Sequence, residues 1–137
     1  MERGRERNRF WTKAETMELI QEYHVLRHLW DPSNEWFKNR RKRYQALHNL
    51  GLCFKTSAAE VKRKLHNLRS QLFQELKKLK AKIDQSEPGE ESSHTSSWPY
   101  FDLMCTTVTD LEKRKYYRIW KMVSLVQGKA TEIPLFS

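Results

Sequence analysis

Glycine is scarce in this chain, four among 137 residues, and none of the four belongs to a phosphate-cradling glycine-rich loop. That shortage speaks against nucleotide-driven chemistry of the P-loop or dinucleotide-binding kind. Cysteine is scarcer still. Cys53 and Cys105 have no paired spacing and no histidine at zinc-ligand distance, so they read as two reduced, buried thiols of an intracellular protein. His24, His28, His48, His66 and His94 are scattered along the chain. No acid cluster and no Ser/His/Asp spacing accompanies them, so no metal, no cofactor and no enzyme activity is expected. Apolar runs are only a few residues long, which excludes a membrane span. The opening MERGRERNR is charged and has no apolar core of a secretory signal.

What the chain does hold is aromatic side chains and positive charge. Hydrophobic residues make up 38% and aromatics 12%, with five tryptophans, so a packed core of about one domain is expected. Trp11, Tyr23, Trp30, Trp98 and Phe101 recur at helical spacing and read as core rather than as base-stacking platforms. The net charge is +9, unevenly spread. Residues 51–83 carry 9 Lys/Arg against 2 Asp/Glu, whereas residues 84–110 carry none against 6. A positive peak of that kind suits a polyanion, because neutralising phosphates releases condensed counterions. On charge alone, a solvated face with no partner fits as well.

Helical periodicity runs through the chain and no period-two strand pattern does, so the expected fold class is all-α. Residues 1–9 form a basic arm, with Arg3, Arg5, Arg7 and Arg9, and are expected to be disordered when free. Thr12 and Glu15 have capping-box spacing and open a first helix that reaches to about residues 26–28. Pro32, flanked by Asp31, Ser33 and Asn34, marks a stop and turn. A second helix is expected over residues 37–50, with Phe37, Tyr44, Leu47 and Leu50 as its core stripe and Gly51 as its C-terminal cap.

The third helix is the clearest feature. Over residues 57–83, Val61, Leu65, Leu68, Leu72, Leu76, Leu79 and Ile83 recur at steps of four and three, and Ser57 with Glu60 has capping-box spacing. Arg63, His66, Asn67, Ser70, Gln74 and Lys77 fall opposite that stripe, with Lys62, Lys64 and Arg69 on its flanks. Residues 86–97, rich in Ser and Glu, read as a flexible acidic loop. A fourth helix opens at Trp98-Pro99. Thr109 and Glu112 repeat the capping-box spacing ahead of a fifth, with Leu111, Ile119, Trp120, Val123 and Val126.

Three helices with a short turn before a basic third make a helix-turn-helix arrangement. The residues themselves resemble a known family in Leu19-Ile20-Gln21-Glu22-Tyr23, Leu29-Trp30-Asp31-Pro32 and Phe37-Lys38-Asn39-Arg40-Arg41-Lys42-Arg43. The resemblance continues in Glu60-Val61-Lys62-Arg63-Lys64, Asn67-Leu68-Arg69-Ser70-Gln71, Gln74-Glu75-Leu76-Lys77-Lys78 and Trp98-Pro99-Tyr100-Phe101. Over residues 10–108 the chain is similar to the MADF domain, a Myb/SANT-like DNA-binding module, with trihelix modules as close relatives. The resemblance implies a homeodomain-like three-helix core with a long third helix, to which a fourth helix is added. Residues 109–137, a C-terminal helical extension and tail, lie outside it. Such domains usually carry a core tryptophan in the second and third helices; the matching positions here are Leu47 and Leu65.

The resemblance implies double-stranded DNA as the partner, transcription regulation or a transposon-derived origin, and a nuclear location. Arg63, His66, Asn67 and Ser70 are the base-contact candidates, since Arg pairs bidentately with guanine and Asn with adenine in the major groove. Lys62, Lys64, Arg69, Lys38, Arg40, Arg41 and Arg43 are the phosphate-contact candidates. The basic run at residues 38–43 also suits nuclear import or simply a solvated face. The arm, through Arg5, Arg7 and Arg9, either enters a minor groove or serves as a solubilising tail. Trp11, Trp30, Leu47, Leu65, Leu68, Trp98 and Phe101 are the expected core. The last helix extends the DNA surface, docks a protein partner or caps the bundle. The alternative reading is a SANT-like chromatin or histone-binding module without sequence readout.

Overall fold

Two threonines set the helix starts at either end of the fold. In the computed structural model, which describes residues 9–87, 95–117 and 119–121, Thr12 Oγ1 accepts the Glu15 N–H and the Glu15 carboxylate accepts the Thr12 N–H, each at 3.1 Å. Thr109 and Glu112 repeat the pair at 3.3 and 2.8 Å. Each box satisfies two amide hydrogens that a helix start otherwise leaves unpaired. The elements are α1 (Lys13–Val25), one 3-10 turn (Arg27–Leu29), α2 (Arg40–Cys53), α3 (Ala58–Asp84), α4 (Phe101–Cys105) and α5 (Asp110–Lys115). No strand occurs among the described residues. The fold class is all-α.

The chain forms two compact units, Met1–Ser70 and Gln71–Ser137, and α3 contributes to both. The division falls inside the segment 10–108 read as one domain from the sequence. In the first unit α1 buries Thr16, Leu19, Ile20 and Tyr23. Its C-terminal carbonyls are covered by Trp30, whose indole N–H donates to the Tyr23 carbonyl at 3.0 Å and the His24 carbonyl at 3.3 Å. Asp31 then closes the turn, accepting from the Ser33 N–H at 3.0 Å and the Ser33 hydroxyl at 2.7 Å while pairing with Arg27.

The second helix departs from its expected bounds and face. It starts at Arg40, not Phe37, because Asn39 caps it by accepting the Lys42 N–H at 3.0 Å, while residues 34–39 form turns stapled by Asn34. It buries Ala46, Leu50 and Gly51; Phe37 and Leu47 are half-buried, and Tyr44 is exposed, its ring stacked on His48. Gly51 is no cap. It lies inside the helix, where an added Cβ would stand 2.7 Å from the Thr56 carbonyl oxygen, and the left-handed backbone position is taken by Lys55 at φ 57°. Glycine is needed here for space rather than for its backbone freedom. Cys53 is exposed, contrary to expectation, whereas Cys105 is buried.

All seven stripe residues of α3, Val61 through Ile83, are buried. Each such side chain contributes roughly 1.5–3 kcal/mol by leaving water, so this stripe dominates the local energetics. Other buried side chains of the first unit include Trp11, Leu29 and Phe54, with the Trp11 and Phe54 rings 5.3 Å apart. The second unit buries Phe101, Met104, Cys105, Val108, Tyr116, Ile119 and Trp120. Trp98 is half-buried, edge-on to Tyr100, and precedes α4 rather than opening it. Leu111 is exposed because the Thr109 box starts α5 in a register that turns it outward; residues 119–121 are helical again. Val123 and Val126 lie outside the described residues. Of the acidic loop, Ser86 and Ser96 are tied down, Ser96 Oγ donating to the buried Glu75 at 2.7 Å; residues 88–94, which include His94, lie outside the described residues.

Candidate nucleic-acid interface

The first turns of α3 begin with half a capping box. Ser57 Oγ accepts the Glu60 N–H at 3.1 Å, but the Glu60 carboxylate does not return to the cap. Its side chain is wholly buried and serves two other donors. The Trp11 indole N–H reaches Oε2 at 2.9 Å, and Arg63 donates from Nε to Oε1 at 2.8 Å and from Nη2 to Oε2 at 2.6 Å. Burial pushes the Glu60 carboxyl up, but the hydrogen bonds from Arg63 and Trp11 and the charge of Arg63 outweigh it, so its pKa falls below the ordinary value. The hydrogen bonds to Glu60, and then its charge, raise the pKa of Arg63 against a smaller opposing effect of burial. Arg9 extends the cluster, its guanidinium 4.2 Å from the Trp11 ring centre and bonded to Glu15 at 2.8 Å.

The remaining candidates divide by face. His66, Asn67 and Ser70 are exposed, as are Gln74 and Lys77 further along the same side. Lys62 is exposed and Arg69 half-buried; with His66 and Arg43 they line a cavity of about 160 Å³ whose other walls are Tyr23, Leu29, Leu47 and Leu65. Both leucines that stand where tryptophan was expected border this space, and Leu65 itself is buried. Lys64, on the opposite flank, is half-buried; burial and then the charge of Arg63 lower its pKa.

On α2 and the turn before it, Lys38, Arg40 and Arg41 are exposed. Arg43 is committed inward, its Nη1 donating to the His28 carbonyl at 2.7 Å. Lys42 holds its ammonium 4.1 Å over the ring of Trp36, which is 44% exposed. Of the arm, only Arg9 is described; Arg3, Arg5 and Arg7 lie outside the described residues. So does Arg118; Lys113, on α5, stands 4.9 Å over the Trp120 ring.

The structure thus brings Lys62, His66 and Arg69 together with Arg43, and binds Arg63 to a buried carboxylate. By spacing alone Glu60 reads as a cap and Trp11 as a simple core residue. The three-residue step from Glu60 to Arg63 was the available signal for their pairing. Among the described residues no group of three or more His, Cys, Asp or Glu could hold a metal ion. Nor is any of their helices long and apolar enough to cross a membrane.

No curated protein and no solved structure matches the chain. A family model does: that of the alcohol dehydrogenase transcription factor Myb/SANT-like family, the MADF DNA-binding domain, over residues 19–105. The match covers well over half of the chain and takes in α1 from Leu19 onward, with all of α2, α3 and α4. With its all-helical architecture and the basic third helix, the chain belongs to the MADF family of Myb/SANT-like DNA-binding domains.

Proposed function

We propose that this chain binds double-stranded DNA with sequence selectivity, in transcription regulation in the nucleus, with the first turns of α3 in the major groove. One observation carries the reading: the buried stripe of α3 is complete, and its other side offers His66, Asn67 and Ser70 to solvent beside Lys62 and the guanidinium of Arg63. An α-helix fits the major groove, and amide and guanidinium groups match adenine and guanine edges there. Lys62, Arg69, Lys38, Arg40 and Arg41 take backbone phosphates, which hold register without reading sequence. Lys64, half-buried, and Arg43, whose Nη1 is bonded to the His28 carbonyl, contribute less. The arm neutralises further phosphates, and the basic run at residues 38–43 serves nuclear import. No catalytic role is assigned to any residue.

Selection from a random duplex library at about 150 mM salt, where non-specific binding is weakened, tests the proposal. An enriched motif that is lost in the Arg63→Ala/Asn67→Ala double variant supports it. Salt-sensitive binding without enrichment overturns it in favour of a chromatin-docking module that grips proteins or DNA without sequence readout.

A further inference from the structure

Arg63 does not sit free on the DNA-facing side of α3. Its Nε and one hydrogen of Nη2 are spent on the two oxygens of Glu60, at 2.8 and 2.6 Å, and that carboxylate is itself buried and held by the Trp11 indole at 2.9 Å. A guanidinium is a rigid plane with two donating edges. The carboxylate uses the inner edge. The outer edge, Nη1 with the second hydrogen of Nη2, is not used by Glu60, and the side chain keeps 35% of its surface exposed. That outer edge has the spacing to donate to O6 and N7 of guanine together.

We infer that Glu60 is a positioning residue for DNA readout, clamping Arg63 so that its outer edge is presented to one guanine. This rests on the major-groove reading above and adds a residue to it. A long, flexible arginine must give up rotamer freedom to make two hydrogen bonds at a base edge. Here that freedom is already lost in the free protein, and pre-organisation of this kind raises affinity for the correct base. The buried carboxylate also keeps the guanidinium plane from turning to a neighbouring phosphate, a contact that carries no sequence information. Trp11 completes the clamp by fixing the carboxylate from a point 49 residues earlier in the chain.

The test is a competition binding assay on the selected site and its single-base variants, with the wild-type chain, Arg63→Ala, Glu60→Gln and the double variant. Arg63→Ala should reduce the preference for one guanine by about 5- to 150-fold and leave the other positions unchanged. Glu60→Gln, which keeps an acceptor for Trp11 but removes the charge, should reduce the preference at that same base pair. The double variant should match Arg63→Ala within about twofold, since the two residues act as one unit. A Glu60→Gln chain with full guanine preference, or equal losses on every sequence in both variants, overturns the inference while the DNA-binding reading stands. If the wild-type chain selects no motif, that reading fails, and the inference with it. A wild-type measurement covers the case in which Glu60→Gln fails to fold: the Arg63 Nε–H NMR resonance should persist, protected from exchange with water, when the matched duplex is added. Its loss to exchange would show that the clamp opens on DNA, and would overturn the positioning role.

Discussion

Trp11 donates its indole N–H to the buried carboxylate of Glu60 at 2.9 Å, joining the residue just before the α1 cap to the first turn of α3. The same carboxylate holds Arg63 at its other side. A residue of the core and a residue of the candidate reading face are therefore two partners of one acid.

Replacing Trp11 by Phe keeps a ring against Phe54 but removes a hydrogen bond to a charged, buried group. The expected cost is about 1.5–3 kcal/mol of unfolding free energy. Urea denaturation should show a lower midpoint with an unchanged slope. A loss below about 0.5 kcal/mol would mean that Glu60 is satisfied without the indole.

Acid should expose the same group. The folded-state pKa of Glu60 lies below its ordinary value, so its contribution to stability is fully present above the unfolded glutamate value of about 4.3. It is then lost as the pH falls through the lower, folded value. Melting temperatures should decline more steeply below about pH 4.3 in the wild-type chain than in Glu60→Gln. Parallel declines in the two proteins would assign the acid sensitivity to other carboxylates, such as Glu75, which the Ser96 hydroxyl lowers against burial, with Lys78 and Gln71 adding to it.

Gly51→Ala should destabilise the chain although alanine is the better helix former by about 1 kcal/mol. The new methyl would lie 2.7 Å from the Thr56 carbonyl oxygen and 3.1 Å from the Ser57 carbonyl carbon, both backbone atoms at the entry to α3. Relieving such contacts typically costs about 1–3 kcal/mol. A thermal melt at or above the wild-type temperature would show that the turn can move aside freely.

Lys62→Ala should weaken binding to matched and random duplexes alike, and lower the slope of log affinity against log salt by about 1. Asn67→Ala should leave that slope unchanged and cost about 1–3 kcal/mol on the matched site alone. Titrations at several salt concentrations separate the two behaviours. A sequence-dependent loss for Lys62→Ala would move it from phosphate contact to base contact.

Local pattern determined a good deal of this protein. The seven-residue stripe of α3 lies within one helix, so its period alone set which side is buried, and every member is. The boxes at Thr12 and Thr109 involve partners three residues away, again within reach of sequence reasoning. The motifs that run from Leu19 to Phe101 resembled the MADF family, and its model matches residues 19–105. Three-dimensional packing decided the rest. Tyr44 has the spacing of a core residue, yet the entry of α2 through Asn39 sets a register that leaves it exposed. Gly51 resembled a helix cap until the Thr56–Ala58 backbone came to rest against it. Arg63 has the charge and placement of a free groove-reading side chain. Its commitment to Glu60 depends on burial of that acid and on a tryptophan 49 residues away, a contact between distant segments that no local period encodes.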